Sequence, residues 1–142
     1  MKYPKPVMFV PKNPKKYIGD VNNIIARSNL EKRVFKYLDE NDDIINYSSE
    51  EIHIPYYSPL DDKMHRYFVD LIVKTKTGKL FFVEIKPDSQ TREPKQTKNK
   101  KRYLNEMSTW IVNDAKWKAA RQFAKEKGGE FIIITEKDLR HN

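Results

Sequence analysis

The chain contains no cysteine, which excludes disulfide scaffolds and thiolate-held metals together. Its three histidines, His53, His65 and His141, do not form the spaced pairs of a zinc finger. Long apolar runs are missing too. Val7-Met8-Phe9-Val10 is too short for the core of a secretion signal, and nothing approaches membrane-spanning length. The expectation is a soluble, intracellular protein with no membrane partner. A length of 142 residues allows one domain with a single core.

Positive charge is what the chain has in excess. Lys and Arg number 28 against 20 acids, a formal charge of +8, with a pI near 9.5. Such a balance suits an anionic partner, most simply nucleic acid. Charge by itself slightly favours the plainer reading, a soluble protein with lysine-rich faces.

Three charges placed inside apolar strands are more informative. Asp70 interrupts Tyr67-Phe68-Val69-Asp70-Leu71-Ile72-Val73, and Glu84-Ile85-Lys86 closes Leu80-Phe81-Phe82-Val83. Burying a carboxylate costs several kcal/mol unless a cation or hydrogen bonds compensate it, roughly by transfer data. Side chains alternate along a strand, so Glu84 and Lys86 point the same way. Gly78 supplies a turn, which predicts a hairpin with Asp70 beside Glu84. Two acids and a lysine at one strand end make a magnesium site. Asp70 and Glu84 are the candidate ligands, the carbonyl of Ile85 next to Glu84 a third oxygen, and Lys86 a stabiliser of charge on a phosphate. The plainer alternative is a structural ion pair of Glu84 with Lys86, and of Asp70 with Arg66.

The remaining elements follow from periodicity. Residues 1–20 hold Pro4, Pro6, Pro11 and Pro14 among lysines and predict an extended basic arm, followed by a single domain over 21–142. Ser28 and Glu31 form a capping box that starts a helix ending near Asn41. Glu31 shares a face with Phe35 and Leu38, so it is both a capping residue and a candidate third acid of the site. Strands are predicted at Ile44–Tyr47 and at Glu51–Ile54, the second stopped by Pro55, with a loop over Tyr57–Lys63. A helix is predicted from about Ser108 to Lys127, ended by Gly128-Gly129, then a strand over Phe131–Ile134 buried on both faces. The final strand–helix–strand unit makes the last strand parallel to the Glu84 strand. The fold class is α/β, a central mixed sheet flanked by helices.

Outside the acids, Gln90 and Thr91 are candidate phosphate or nucleotide contacts, or simply a loop cap. Lys95, Lys98, Lys100, Lys101 and Arg102 form a run that is either a solvated face or a DNA-backbone clamp. Tyr103, Trp110 and Trp117 could stack on bases, although core packing is the better reading of both tryptophans.

Glu31, Asp70 and Glu84-Ile85-Lys86 in this order resemble the PD-(D/E)xK nuclease superfamily, although Val69 stands where the signature proline would be. More narrowly, Ala26-Arg27-Ser28-Asn29-Leu30-Glu31, His65 to Asp70, Val83 to Pro87 with Gln90-Thr91, and Lys16 to Asp20 resemble the head completion nucleases of T-even-like bacteriophages. That family is in turn similar to the endonuclease subunit of Tn7-type transposases. The resemblance implies a restriction-endonuclease-like core with Glu31, Asp70, Glu84 and Lys86 as active-site positions. It further implies a magnesium-dependent DNA endonuclease, with manganese able to substitute and no small-molecule cofactor. DNA and phage head or portal proteins are the implied partners, and the host cytoplasm or the virion the implied location. Two other functions fit: a transposase- or repair-type nuclease acting on ends or branched DNA, and a non-catalytic basic connector on an inherited nuclease scaffold.

Overall fold

The computed structural model describes residues 6–49 and 52–139. Residues 1–5 of the expected arm and Glu51 of an expected strand lie outside the described residues. The chain runs through β1 (Val7–Met8), a single-turn 3-10 segment at Pro14–Lys16, β2 (Ile25–Ala26), α1 (Asn29–Glu40), β3 (Ile44–Ser49), β4 (His53–Ser58), β5 (Lys63–Phe68), β6 (Leu71–Thr75) and β7 (Leu80–Ile85). After a short turn at Asp88–Gln90 come α2 (Lys100–Glu126), β8 (Glu130–Ile134) and a last turn at Glu136–Leu139.

The main sheet has the order β3-β6-β7-β8, antiparallel except for the parallel pair β7 and β8. The mixed sheet and its parallel closing strand are therefore as the sequence predicts. Gly129 makes the close return from α2 possible, because a Cβ there would lie 2.7 Å from the Leu80 carbonyl oxygen. Each sheet face carries one helix. Val34, Phe35 and Leu38 of α1 pack with Leu71, Val73, Val83 and Ile85. Trp117, Ala120 and Ala124 of α2 pack with Phe82 and Phe131 on the other face. β8 is an edge strand, so Ile132, Ile133 and Ile134 are half-buried and only Phe131 is fully covered.

Beyond β8, which the sequence predicts as buried on both faces and which is a half-buried edge, four expectations need correction. The strand expected to run unbroken from Tyr67 to Val73 breaks at Val69-Asp70: its first part, within β5, pairs with β4, and its second part, in β6, pairs with β3 and β7. The strand expected to stop at Pro55 continues to Ser58, so Tyr57 and Ser58 are not loop. β4 and β5 form a separate two-stranded ribbon in which Pro55 needs no ladder partner on its outer side. α2 begins eight residues before the expected Ser108. Asn99 caps it by accepting the Arg102 amide at 3.1 Å, and Arg102 pairs with Glu106 one turn on. These first turns bury nothing, so no apolar period announces them.

The fourth correction concerns the arm. Over residues 6–20 it is part of the body. β1 pairs with β2, the Phe9 amide donates to Ile24 O at 2.7 Å, and the Phe9 ring sits 5.7 Å from that of Phe35. Tyr17 bridges to Tyr47 on the outer edge of β3, with the Ile18 amide donating to Tyr47 O at 2.9 Å. Buried Asp39, near the end of α1, accepts from the amides of Lys12 at 2.9 Å and Asn13 at 3.2 Å, and from the Tyr47 hydroxyl at 3.2 Å. Proline denies this stretch a helix, but side-chain burial and one carboxylate give it a fixed path.

Candidate active site

The site forms where the β6–β7 ladder runs out. The ladder pairs Leu71 with Val83, so the next step outward brings Asp70 against Glu84. Asp70 substitutes its side chain for the missing strand: Oδ2 accepts the Ile85 amide at 2.7 Å. The N–H and C=O of one strand residue lie on the same side, so the Ile85 carbonyl also faces Asp70. Lys86 continues the chain on the opposite side, its amide donating to Ile134 O of β8 at 3.0 Å. The geometry therefore places Asp70, Glu84 and the Ile85 main chain together, as the sequence predicts.

Glu84 is buried and each of its oxygens is engaged. Oε1 faces Lys86 Nζ at 3.3 Å, and Oε2 accepts the Tyr67 hydroxyl at 2.5 Å. Burial drives the Asp70 carboxyl up to about 8, and the neighbouring Glu84 adds to the rise. The Ile85 amide opposes it. Burial also raises the Tyr67 hydroxyl, with the Glu84 charge and bond contributing. The alternative pairing of Asp70 with Arg66 does not occur; Arg66 is exposed and bonded to neither acid.

Glu31 does two things at once. Its amide donates to Ser28 Oγ at 3.1 Å, and its carboxylate accepts the Arg27 amide at 2.7 Å, one residue before the amide of a standard capping box. Burial raises its carboxyl above the usual range, the Arg27 amide opposes this, and the charges of Glu84 and Lys86 both reach it. Glu31 is thus near the pair but held by its own helix terminus. Among the described residues, no three acidic or histidine side chains converge as a ready metal cage. The ligand set the chain offers is two carboxylates and a main-chain oxygen.

Among the described residues, none of the other candidates is bonded to Asp70 or Glu84. Thr91 Oγ1 donates to Asp88 O at 2.6 Å and so caps the loop, while the Gln90 main-chain amide donates to Pro87 O at 2.9 Å and its side chain is exposed. The Asp88 carboxylate, held below its usual range by Lys137 and Arg92, ties this turn to the C-terminal one. Lys95 and Lys98 are exposed in an irregular segment. Lys100, Lys101 and Arg102 form the first turn of α2. No acid accompanies them there, although a helix N-terminus favours negative charge. Trp117 is core, and Trp110 packs edge-on against it at 5.8 Å.

Sequence reasoning missed two side chains. Tyr67, on the inner face of the ribbon, is the hydroxyl donor to Glu84. Lys116 of α2 lies over the rings of Tyr67 and Tyr56, 5.6 and 5.9 Å from their centroids. A tyrosine in an alternating strand looks like core, and only the break after Phe68 turns it toward the acids.

Residues 41–136 match the family described as TnsA-like endonuclease N terminal. The matched stretch holds Asp70, Glu84 and Lys86 and omits Glu31. The chain is also 46% identical over 137 residues to the head completion nuclease of Enterobacteria phage T4, covering 93% of this chain and 91% of that one. It belongs to this nuclease family. The helix–sheet–helix architecture accords with the restriction-endonuclease-like core expected of such members.

Proposed function

We propose that the protein is a magnesium-dependent DNA endonuclease that processes DNA ends or branched DNA during head completion, late in virion assembly. The observation that carries this reading is the pairing of Asp70 and Glu84 at the open end of a ladder, with Lys86 on Glu84. One lysine, paired with Glu84, accompanies a buried and a half-buried acid, which leaves the two short of positive charge. A hard dication with oxygen ligands fits that deficit, and manganese would fit the same set. When bound, it supplies a polarising charge for the phosphate and for the attacking water. Asp70, Glu84 and the Ile85 carbonyl would hold it. Lys86 would meet the negative charge that grows on the phosphate as water adds and the P–O bond breaks. Proton expulsion from Asp70 would accompany metal uptake, so apparent metal affinity rises with pH until about 8.

DNA would follow the cations from Lys95 to Arg102, whose unfavourable placement at a helix N-terminus a phosphate would relieve. The host cytoplasm, with carriage into the virion, is the proposed location, and head or portal proteins the proposed partners. Incubation with supercoiled, linear and branched DNA, with magnesium or with chelator, tests the reading. Cleavage only with the metal is expected; cleavage undiminished by chelation would sink the assignment.

Lys86→Ala is expected to slow cleavage by about a hundredfold or more at nearly constant DNA affinity, because its charge acts on the transition state. Neutralising Lys98, Lys100 and Lys101 should do the reverse, weakening binding and flattening its salt dependence by about one unit of slope per lost phosphate contact. An unchanged slope would make that run a solvated face. Tyr67→Phe keeps the ring but removes the donor to Glu84. Metal affinity should fall by about tenfold, as for other outer-shell partners, while melting stays within a few degrees. Equal metal affinity in calorimetric titration would show that the hydroxyl positions nothing.

A further inference from the structure

The β4–β5 ribbon stands outside the main sheet and has two unlike faces. Its register pairs Ile54 with Tyr67 and Tyr56 with His65 on the inner face, where Ile54, Tyr56 and Tyr67 are buried in the α2 core. The same register puts His53 with Phe68, Pro55 with Arg66 and Tyr57 with Met64 on the outer face. All six outer residues are exposed, Met64 to 64% and Phe68 to 49%. A two-stranded ribbon is marginal without burial on one side, and α2 supplies that burial. The outer apolar strip is therefore left over from folding and available to a partner.

Position and charge select the partner. Phe68 precedes Asp70 by two residues, and its neighbour Tyr67 donates to Glu84 on the reverse side. The acids lie toward the inner side of the ribbon, and two residues of chain connect Phe68 on the outer face to Asp70, so a partner long enough to pass the Phe68 end of the ribbon reaches the acid site. Arg66 and His53 are on this face and no acid is. The hairpin's own acids sit in the turn, Asp61 bonded to His65 at 2.7 Å and Asp62 to the Tyr57 hydroxyl at 2.6 Å. Strands of six residues span about 20 Å, and a major groove about 12 Å wide admits a two-stranded ribbon.

We infer that the outer face of the β4–β5 ribbon enters the major groove of duplex DNA beside the phosphate to be cut. Arg66 then meets the backbone, while Met64 and Phe68 lie against base edges and thymine methyl groups. The inference rests on the nuclease reading above and adds to it the surface that grips the flank of the site.

The test uses the full chain with Asp70→Asn to suppress cleavage, a fluorescent duplex of thirty or so base pairs, and the matching single strand. Adding Met64→Ser and Arg66→Gln should weaken duplex binding by about tenfold or more and lower its salt slope by about one unit. Single-strand binding should change less than about twofold, because a strand has no groove. Both side chains are exposed, so melting should not move; Leu60→Ser, in the turn, controls for general loss of surface hydrophobicity and should leave affinity alone. Duplex binding equal to that of the parent overturns the inference. So does a shift from dimer to monomer in sedimentation at unchanged DNA affinity, which would assign the face to a second copy of the chain. If the unsubstituted protein neither binds nor cuts the duplex, the nuclease reading itself fails, and that result is distinct from either of the others.

Discussion

Asp70→Asn should abolish DNA cleavage, by about a thousandfold or more, while making the metal-free protein harder to melt. The two effects share one cause. Asp70 is held in a buried position beside Glu84, which lifts its carboxyl from 3.8 to about 8. A raised folded-state value means the native protein binds a proton that the unfolded chain has already released. The penalty is absent below about pH 4, grows as pH rises between about 4 and 8, and is full above 8. Asparagine cannot ionise, and its side-chain oxygen can still accept the Ile85 amide. The variant should therefore exceed the parent by several degrees at pH 8.5, with the gap closing toward pH 4.5. Saturating magnesium should erase the gap by stabilising the parent alone. A variant that cuts at the parental rate would remove Asp70 from the site; one that melts lower at every pH would make Asp70 a structural acceptor only.

The second large effect lies far from the acids. Asp39→Ala should cost about 2–4 kcal/mol, because it strands the buried Tyr47 hydroxyl and removes the acceptor that the Lys12 and Asn13 amides share. Asp39→Asn, which keeps one acceptor, should fall between. Phe9→Ala removes a ring packed on Phe35 and should cost about 3 kcal/mol. Against a total of about 5–15 kcal/mol, either loss is a large part of the stability of the domain. Melting of both variants within two degrees of the parent would show that residues 6–17 lie loosely after all.

These two regions also differ in how plainly they could be read from the residues. Asp70, Glu84 and Lys86 were legible because they break apolar runs, and the period of a strand fixes which side each takes. The C-terminal half of α2 and the parallel β8 were legible for the same reason, since an amphipathic face and an apolar run leave a period. The N-terminal stretch was not. Proline and lysine dominate it, and the few groups that anchor it, Phe9, Tyr17 and two main-chain amides, carry no period at all. Pro55 misled because a proline ends a central strand but is harmless in a ribbon with an open side. The opening turns of α2 rest on a cap and an i,i+4 pair, which local polarity hides. Glu31 fitted two readings, and its carboxylate, bonded to Arg27 yet within the field of Glu84 and Lys86, is compatible with both.

The bond from the Lys86 amide to Ile134 has a consequence in time. During synthesis the acids at 70 and 84 emerge well before the strand that fixes Lys86, with the whole of α2 between them. Parallel pairing across such a separation forms late, since the intervening chain must be closed first. The segment made first is no more independent, because Tyr17 and the amides of Lys12 and Asn13 wait for residues 39–49. A ribosome-bound fragment thus carries the acids without the frame that arms them. The acids stay unframed until β8 has been made and has paired with β7.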